Sequence, residues 1–462
     1  MAEFIRLPTR SIGLKFLLVC ALALVMAVPT AAVWAVLQDR LNRYDQVRND
    51  ISRYEGGMQT VVGPVLIVPY AKQVENVTAD GKREIVTLSG QGVAFAETGT
   101  GTAALATEKR KRAIYTIPVF NAKVGLTAAF NPAAAKQALT QLDPAAQYDW
   151  SKARLAMSVS NSIGLLSDIV VDLGSADRRE LKPATISAPQ AGANYSPGSF
   201  NIVAAPVGDL MDRTELNVST SIDLSGAERF AIAAFAKNTS VKMTSPWPDP
   251  SFEGFVLPLA DKRQISNAGF SAEWAAGLVR RGLPEVSTDA NILSDVNGKD
   301  FAVRFTEPTN VYTGVNRALK YSLMVIGLVF LAYFMFEIVS GGRAHPAQYI
   351  LVGLAQAIFY LLLLAFAERV GFTPAFLIAA GATVGLISAY VNVVFKKRVY
   401  VVPAFLAFSV VYGLTYVLMQ MEDYSLLVGS IACFAALAAL MYLTRNVAWY
   451  GAADAREEGA RP

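Results

Sequence analysis

LKFLLVCALALVMAVPTAAVWAVL, residues Leu14 to Leu37, is an apolar run long enough to cross a bilayer, which takes about 20 residues, and the next such run begins only after Lys320. Five more then follow at close spacing: Tyr321 to Val339, Gln348 to Ala367, Pro374 to Phe395, Val401 to Met419 and Tyr424 to Leu443. Between Gln38 and Arg317 lie about 280 residues with no such stretch. The layout predicts an α-helical membrane protein with six transmembrane spans, one N-terminal and five C-terminal, and a large β-rich extracytoplasmic domain inserted between spans 1 and 2.

Arg6, Arg10 and Lys15 precede or open the first run, as in a secretory signal peptide, but the run has the length of a full span and Trp34 stands near its far end as an interfacial anchor. It is read as an uncleaved anchor, with Cys20 as a buried thiol rather than a lipidation site. The short connections set the orientation. Arg343 lies between the second and third spans, Lys396, Lys397 and Arg398 between the fourth and fifth, and Arg445 after the sixth. Glu368, Arg369, Glu422 and Asp423 occupy the alternate loops, which lack that basic excess. Both termini of this multi-pass protein are therefore expected in the cytoplasm, and the large domain on the far side, in the periplasm of a Gram-negative cell or outside another kind of cell.

Hydrophobic residues make up 53% of the 462 and charged residues 17%, an apolar excess that the spans account for. The formal net charge is only +4 and no long basic block occurs, which argues against a nucleic-acid partner. The lipid bilayer is the expected partner, with a periplasmic protein or envelope component as a further one. Cys20 and Cys433, the only cysteines, both fall in predicted spans, so the exported domain has no disulfide of its own.

The chain divides into a cytoplasmic N-terminus (1–13), the first span (14–37), a helical extension (38–60), the β-rich domain (61–317), a five-helix bundle (318–445) and a cytoplasmic tail (446–462). Leu41, Tyr44, Val47, Ile51 and Tyr54 recur at helical spacing in the extension until Gly56 and Gly57 stop it, a stripe that packs on the exported domain. From Val61 the pattern changes to short runs of Val, Ile, Thr and aromatics broken by Gly, Pro, Asn and Asp, predicting a mainly antiparallel β domain. Its first strand, Val61 to Pro69, is interrupted by Gly63 and Pro64, which suits an edge or a bulge. Short helices are predicted over Pro132 to Leu142 and Asn161 to Val170, and TGTGTAALA, Thr98 to Ala106, reads as a turn or loop.

His345 is the only histidine, so no two-histidine metal site can be assembled within one chain and no Ser-His-Asp triad in the exported domain. HExxH and Walker A sequences are missing, and the predicted spans hold no Asp. No catalytic, cofactor-binding or metal-ligating residue is expected, and the chain is read as a non-enzyme. Glu337, Trp247 and His345 are the candidate functional residues. Glu337 sits inside a span, where a lone carboxylate is costly, so it requires Arg343, Lys396, Lys397, Arg398 or a proton. Trp247 lies in a proline-rich loop, either packed into the domain or presented to a partner. His345, followed by Pro346, suits a helix start. Gln356 and Asn392 read as links between spans, and Ala379, Ala380, Gly381, Ala382, Gly385 and Gly429 as sites of close helix approach.

Three stretches resemble the CreD family: EGGMQTVVGPVLIVPY, Glu55 to Tyr70; SPWPDPSFEG, Ser245 to Gly254, with GFSAEW, Gly269 to Trp274; and FTEPTNVYTGVNRALKYSLMVIGLVFLAYFMFE, Phe305 to Glu337, continuing into HPAQYILVGLAQAIFYLLLLAFAE, His345 to Glu368. The resemblance implies an inner-membrane location, a periplasmic β-rich domain and a role in envelope integrity and stress. That role could extend to colicin tolerance or β-lactam damage, through a two-component circuit. It carries no catalytic residues onto this chain. The expected function is non-enzymatic support of the envelope through a periplasmic recognition domain. The alternatives are a small-molecule or proton-coupled transporter using Glu337, and an enzyme acting on lipid or peptidoglycan.

Overall fold

A computed structural model describes residues 12–77, 83–112, 115–174, 177–184, 201–208, 210, 213–289, 291–305, 311–396, 398–421 and 425–445. Glu422 and Asp423, and the tails at 1–11 and 446–462, lie outside them. The chain forms two compact units, Met1–Tyr44 with Thr309–Pro462, and Asp45–Pro308.

The first unit is helical. Ile12–Val25 and Ala27–Tyr54 are separated only by Met26. Pro29 supplies the reason, because it has no N–H for the Val25 carbonyl and its ring crowds that carbonyl. Thr30 repairs part of the loss by donating its hydroxyl to the Met26 carbonyl at 2.8 Å. Ser322–Ser340, Pro346–Val370, Phe372–Phe395 and Val401–Gln420 follow the short amphipathic helix Val311–Lys320. With the N-terminal helix, these make five helices long and apolar enough to cross a membrane, and Ser425–Thr444 is a further apolar helix.

Close helix approach occurs elsewhere than at the glycines expected. A Cβ on Gly353 would come within 2.4 Å of the Met26 sulfur, and one on Gly314 within 2.7 Å of Phe372, whereas Gly381 and Gly385 have open space around them and Gly429 is not tightly packed. Cys20 and Cys433 are both free, and both face outward from the helical unit.

The second unit is built on two sheets. The order in one is Pro250–Gly254, Asp300–Phe305, Arg229–Ala233, Gln59–Val77, Arg154–Val159, Asn201–Pro206, Lys182–Pro183. In the other it is Arg263–Ser266, Gly269–Ala276, Ala236–Ser245, Ala96–Arg112, Tyr115–Phe130, Leu216–Ala227, Val170–Asp172, Arg178–Glu180. Most pairs are antiparallel. Two are parallel: Gln59 to Val61 beside Phe230 to Ile232, and Ala96 to Ala104 beside Ala236 to Thr244. Val61, Leu66, Phe120, Leu126, Phe235, Trp247 and Trp274 join one extended buried core.

Pro64 sits in a bulge of a central strand rather than at an edge, since Gln59–Val77 pairs on both sides and its register shifts between Val62 and Val65. TGTGTAALA is not a loop. It lies inside the strand Ala96–Arg112, with Thr98, Thr100 and Thr102 facing out and Gly99, Gly101 and Ala103 buried. The glycines make room for neighbours: a Cβ on Gly99 would come within 2.5 Å of the Phe235 ring, and one on Gly63 within 2.4 Å of the same ring. The run alternates with the period of a strand, and its inward side is empty because Phe235 fills it.

Pro132–Leu142 is helical as expected, capped by Asn131, whose Oδ1 accepts the Ala134 N–H at 3.0 Å. The helix expected over Asn161 to Val170 is only a 3-10 turn, Ser162–Gly164, with Asn161 as its cap. Its continuation is blocked where Val170–Asp172 joins a sheet.

Candidate functional site: a buried ion pair in the helical unit

Glu337 lies in the last turn of Ser322–Ser340 and is 5% exposed. Its partner is Lys15, from the first helix, and not the expected Arg343, Lys396 or Arg398, which are exposed and make no recorded bond to it; Lys397 lies outside the described residues. Oε1 accepts the Lys15 ammonium and the Ala344 N–H, the latter at 2.8 Å, while Oε2 accepts the Tyr349 hydroxyl at 2.8 Å. Lys15 also donates to the Ala344 carbonyl at 2.9 Å. Three donors, one of them charged, therefore satisfy the carboxylate in an apolar setting.

The local sequence explains how Ala344 reaches Glu337. Gly341 ends the helix in the left-handed region at φ 65° and donates to the Ile338 carbonyl at 3.2 Å. Gly342 donates to the Ser340 hydroxyl, and Phe395 presses close enough to leave no room there for a Cβ. The connection folds back to His345, which caps the next helix: Nδ1 accepts the Ala347 N–H at 3.2 Å, and the His345 N–H donates to Gln348 Oε1 at 2.8 Å. His345 thus shapes the turn that holds the Ala344 amide, and its own ring stays off Glu337.

Aromatic rings wall the carboxylate. Tyr349 contacts Phe330 and Tyr333 at 5.7 and 5.0 Å between centroids, and Tyr333 contacts Phe395 at 5.5 Å. Deeper in the bundle, the Gln356 amide and the Tyr333, Tyr360, Ser388 and Tyr412 hydroxyls are buried without a hydrogen-bond partner among the described residues. Gln356 does not join helices as expected. Thr383 and Thr415, by contrast, donate back to the Ala379 and Val411 carbonyls of their own helices.

At the other end of Pro346–Val370, Glu368 is not a solvated carboxylate. Its side chain is 13% exposed, and it accepts the Tyr312 hydroxyl at 3.1 Å with Arg40 Nε at 3.8 Å. The N-terminal helical segment thus supplies a cation to each of two glutamates of the same unit.

In the β-rich unit Trp247 is core. It is 5% exposed, stands edge-on to Phe305 at 6.0 Å and donates Nε1–H to the Asp249 carbonyl at 3.1 Å, with Lys109 Nζ 5.3 Å above its ring. A separate open groove of about 620 Å³ is lined by Lys136, Gln137, Gln141, Trp150 and Arg213 among others, with no acidic residue among the described residues of its wall. The Asp45–Tyr54 end of the long helix, with Glu55, is fastened within this unit by Arg48 Nε to Glu228 Oε1 at 2.9 Å, Asp50 to Arg112 at 3.2 Å and Glu55 to Arg110 at 2.7 Å.

Sequence reasoning missed Lys15 because it was counted among the basic residues that precede or open the first span. The signal was present: Lys15 follows Leu14 inside the apolar run, so it needs a partner for the same reason Glu337 does.

The chain matches the family model described as Inner membrane protein CreD over residues 11–450. It is 30% identical over 432 residues to the Inner membrane protein CreD of Escherichia coli strain K12, an alignment covering 92% of this chain and 91% of that protein. The matched segment takes in both units, with Lys15 and Glu337 inside it. With its several apolar helices, the chain is a multi-pass inner membrane protein and belongs to the CreD family.

Proposed function

We propose that this protein supports cell-envelope integrity under stress as a non-enzymatic, six-span inner-membrane protein whose β-rich unit faces the periplasm and recognises an envelope component or partner protein. The basic groove carries this reading. Lys136 and Arg213 stand over Gln137, Gln141 and the edge of Trp150 with no carboxylate among the described lining residues, an arrangement suited to an anionic group flanked by hydroxyls or amides. Trp247 carries no part of it, because its ring is spent on the core. The basic connections at Arg343 and Lys396 to Arg398 support a cytoplasmic position for those turns and hence a periplasmic β-rich unit.

The test is a double reversal, Lys136→Glu with Arg213→Glu, in cells that depend on this protein to survive envelope stress. Loss of tolerance at unchanged protein abundance is expected, together with loss of the adduct formed by a photo-crosslinker at Gln137. Full tolerance in the double variant would remove the groove from the function.

A further inference from the structure

We propose that the helical bundle conducts protons along a polar track from Glu337 through Tyr349, Gln356, Ser388, Tyr360 and Tyr412 to Tyr416 and Thr373, a function that does not rest on the groove of the β-rich unit. Tyr349, Gln356 and Tyr360 are spaced by seven and four residues, so they share one face of Pro346–Val370. At 1.5 Å per residue, Gln356 lies about 10 Å and Tyr360 about 16 Å along the axis from Tyr349. Counting from the ends of the helices nearest Glu337, Gln356 lies about 15 Å and Tyr360 about 21 Å in from Pro346, Ser388 about 10 Å in from Phe395 and Tyr412 about 16 Å in from Val401, so Ser388 falls within about one turn of Gln356 and Tyr412 within about one turn of Tyr360. Tyr360 and Tyr412 each place a ring 4.9 Å from Phe359. One turn beyond Tyr412, the Tyr416 hydroxyl is 3.2 Å from that of Thr373 and accepts the Gln420 amide at 3.0 Å, both contacts exposed.

Chemistry favours a proton over other cargo. Gln356 and Tyr360 are 0% exposed and Ser388 and Tyr412 2%, yet none of their side-chain polar atoms has a partner among the described residues. An unpaired polar group in a membrane interior costs several kcal/mol, and Leu or Phe would fill those positions without it. Each hydroxyl can accept one proton and give up its own, and a bridging water can do the same. A metal cation would call for several carboxylates or carbonyls along the way, and the interior of the track offers a single carbonyl, that of Gln356.

Glu337 is the terminus. The groups facing it are Lys15 from the first helix and Tyr349 from Pro346–Val370, with Tyr333 of its own helix against the Tyr349 ring and Tyr400 donating to the nearby Val339 carbonyl at 3.3 Å. Arg343 and His345 in the adjoining turn are exposed. A proton entering at the Tyr416 end displaces one at each hydroxyl and bridging water in turn, Gln356 holding and orienting water rather than giving up a proton, one leaves at the Glu337 end, and each hydroxyl then turns back to its first orientation. No bond to a co-reactant forms, and every residue finishes in its starting state.

The full-length protein in vesicles of phosphatidylethanolamine and phosphatidylglycerol, loaded with a pH-reporting dye and driven by a potassium gradient with valinomycin, tests the track. Wild type should acidify or alkalinise the lumen faster than protein-free vesicles. Tyr360→Phe with Tyr412→Phe, which keeps both rings, and Gln356→Leu should each slow this about tenfold or more, a barrier increase of about 1.4 kcal/mol. The thermal midpoint of each variant should stay near wild type, and Tyr442→Phe, altered on an exposed ring, should conduct as wild type does. Wild-type flux no faster than that of empty vesicles would overturn the proposal. So would undiminished flux in the folded Phe variants.

Discussion

Glu337 and Lys15 are 322 residues apart, yet each is the other's reason for being tolerated in an apolar helix. Removing one partner strands the other, so Lys15→Met should lower stability by about 3–5 kcal/mol, while Lys15→Met with Glu337→Met should recover much of that loss. Thermal unfolding in detergent compares the two; an equal loss in both would mean the pair is not coupled. Trp247 makes a different residue-scale prediction. Its burial against Phe305 means that Trp247→Ala should cost the β-rich unit about 3–5 kcal/mol, read from denaturant unfolding. Glu337 was legible from the sequence because a carboxylate inside an apolar run cannot be ignored. Lys15 was not, because a lysine near the edge of such a run has two meanings and only the fold chooses.

At the scale of elements, Gly99 and Gly63 share one tenant, the Phe235 ring. Gly99→Val should therefore destabilise the β-rich unit by at least about 1–3 kcal/mol, and Phe235→Ala in the same chain should relieve part of the clash. Failure of the second change to help would show that the valine offends elsewhere. The strands Pro250–Gly254, Asp300–Phe305 and Arg229–Ala233 are laced by charge: Arg304 Nε donates to Glu253 Oε1 at 2.6 Å, and Arg229 bonds Asp300 at 2.6 Å and approaches Glu253 at 3.5 Å. The Arg304 hydrogen bond holds the Glu253 carboxyl below the usual carboxylate range. A lowered folded-state value means stability present above the ordinary glutamate value and lost as pH falls through the lowered one. Glu253→Gln should cost about 0.5–1 kcal/mol at neutral pH, the group being a third exposed, and the gap to wild type should close on acidification below the ordinary range. The sequence disclosed most strand positions but not Ala96–Arg112, since threonine and glycine alternating reads as a loop until a neighbouring phenylalanine accounts for the missing side chains.

For the molecule as a whole, the spacing of apolar runs disclosed helices at both ends and sheets between them, because burial in lipid and burial in a sandwich impose different periods on the chain. The pairing order was not legible, since strand partners separated by so much sequence leave no local mark. Asp45–Pro308 is compact in its own right, so that segment, produced alone, should unfold in one cooperative transition, with tryptophan emission and circular dichroism reporting the same midpoint. Two midpoints would divide it further.

The parallel pairing of Gln59 to Val61 with Phe230 to Ile232 also bears on biogenesis. The central strand of the first sheet emerges early, but one of the two neighbours of its opening residues is synthesised some 170 residues later, and that neighbour in turn waits for Asp300–Phe305. Until that neighbour arrives, the strand beginning at Gln59 has an open edge, the kind of surface that invites pairing with another chain. Completion of this domain is therefore tied to arrival of the segment that leads into the second group of apolar helices, and a chain halted near Glu228 keeps that edge open.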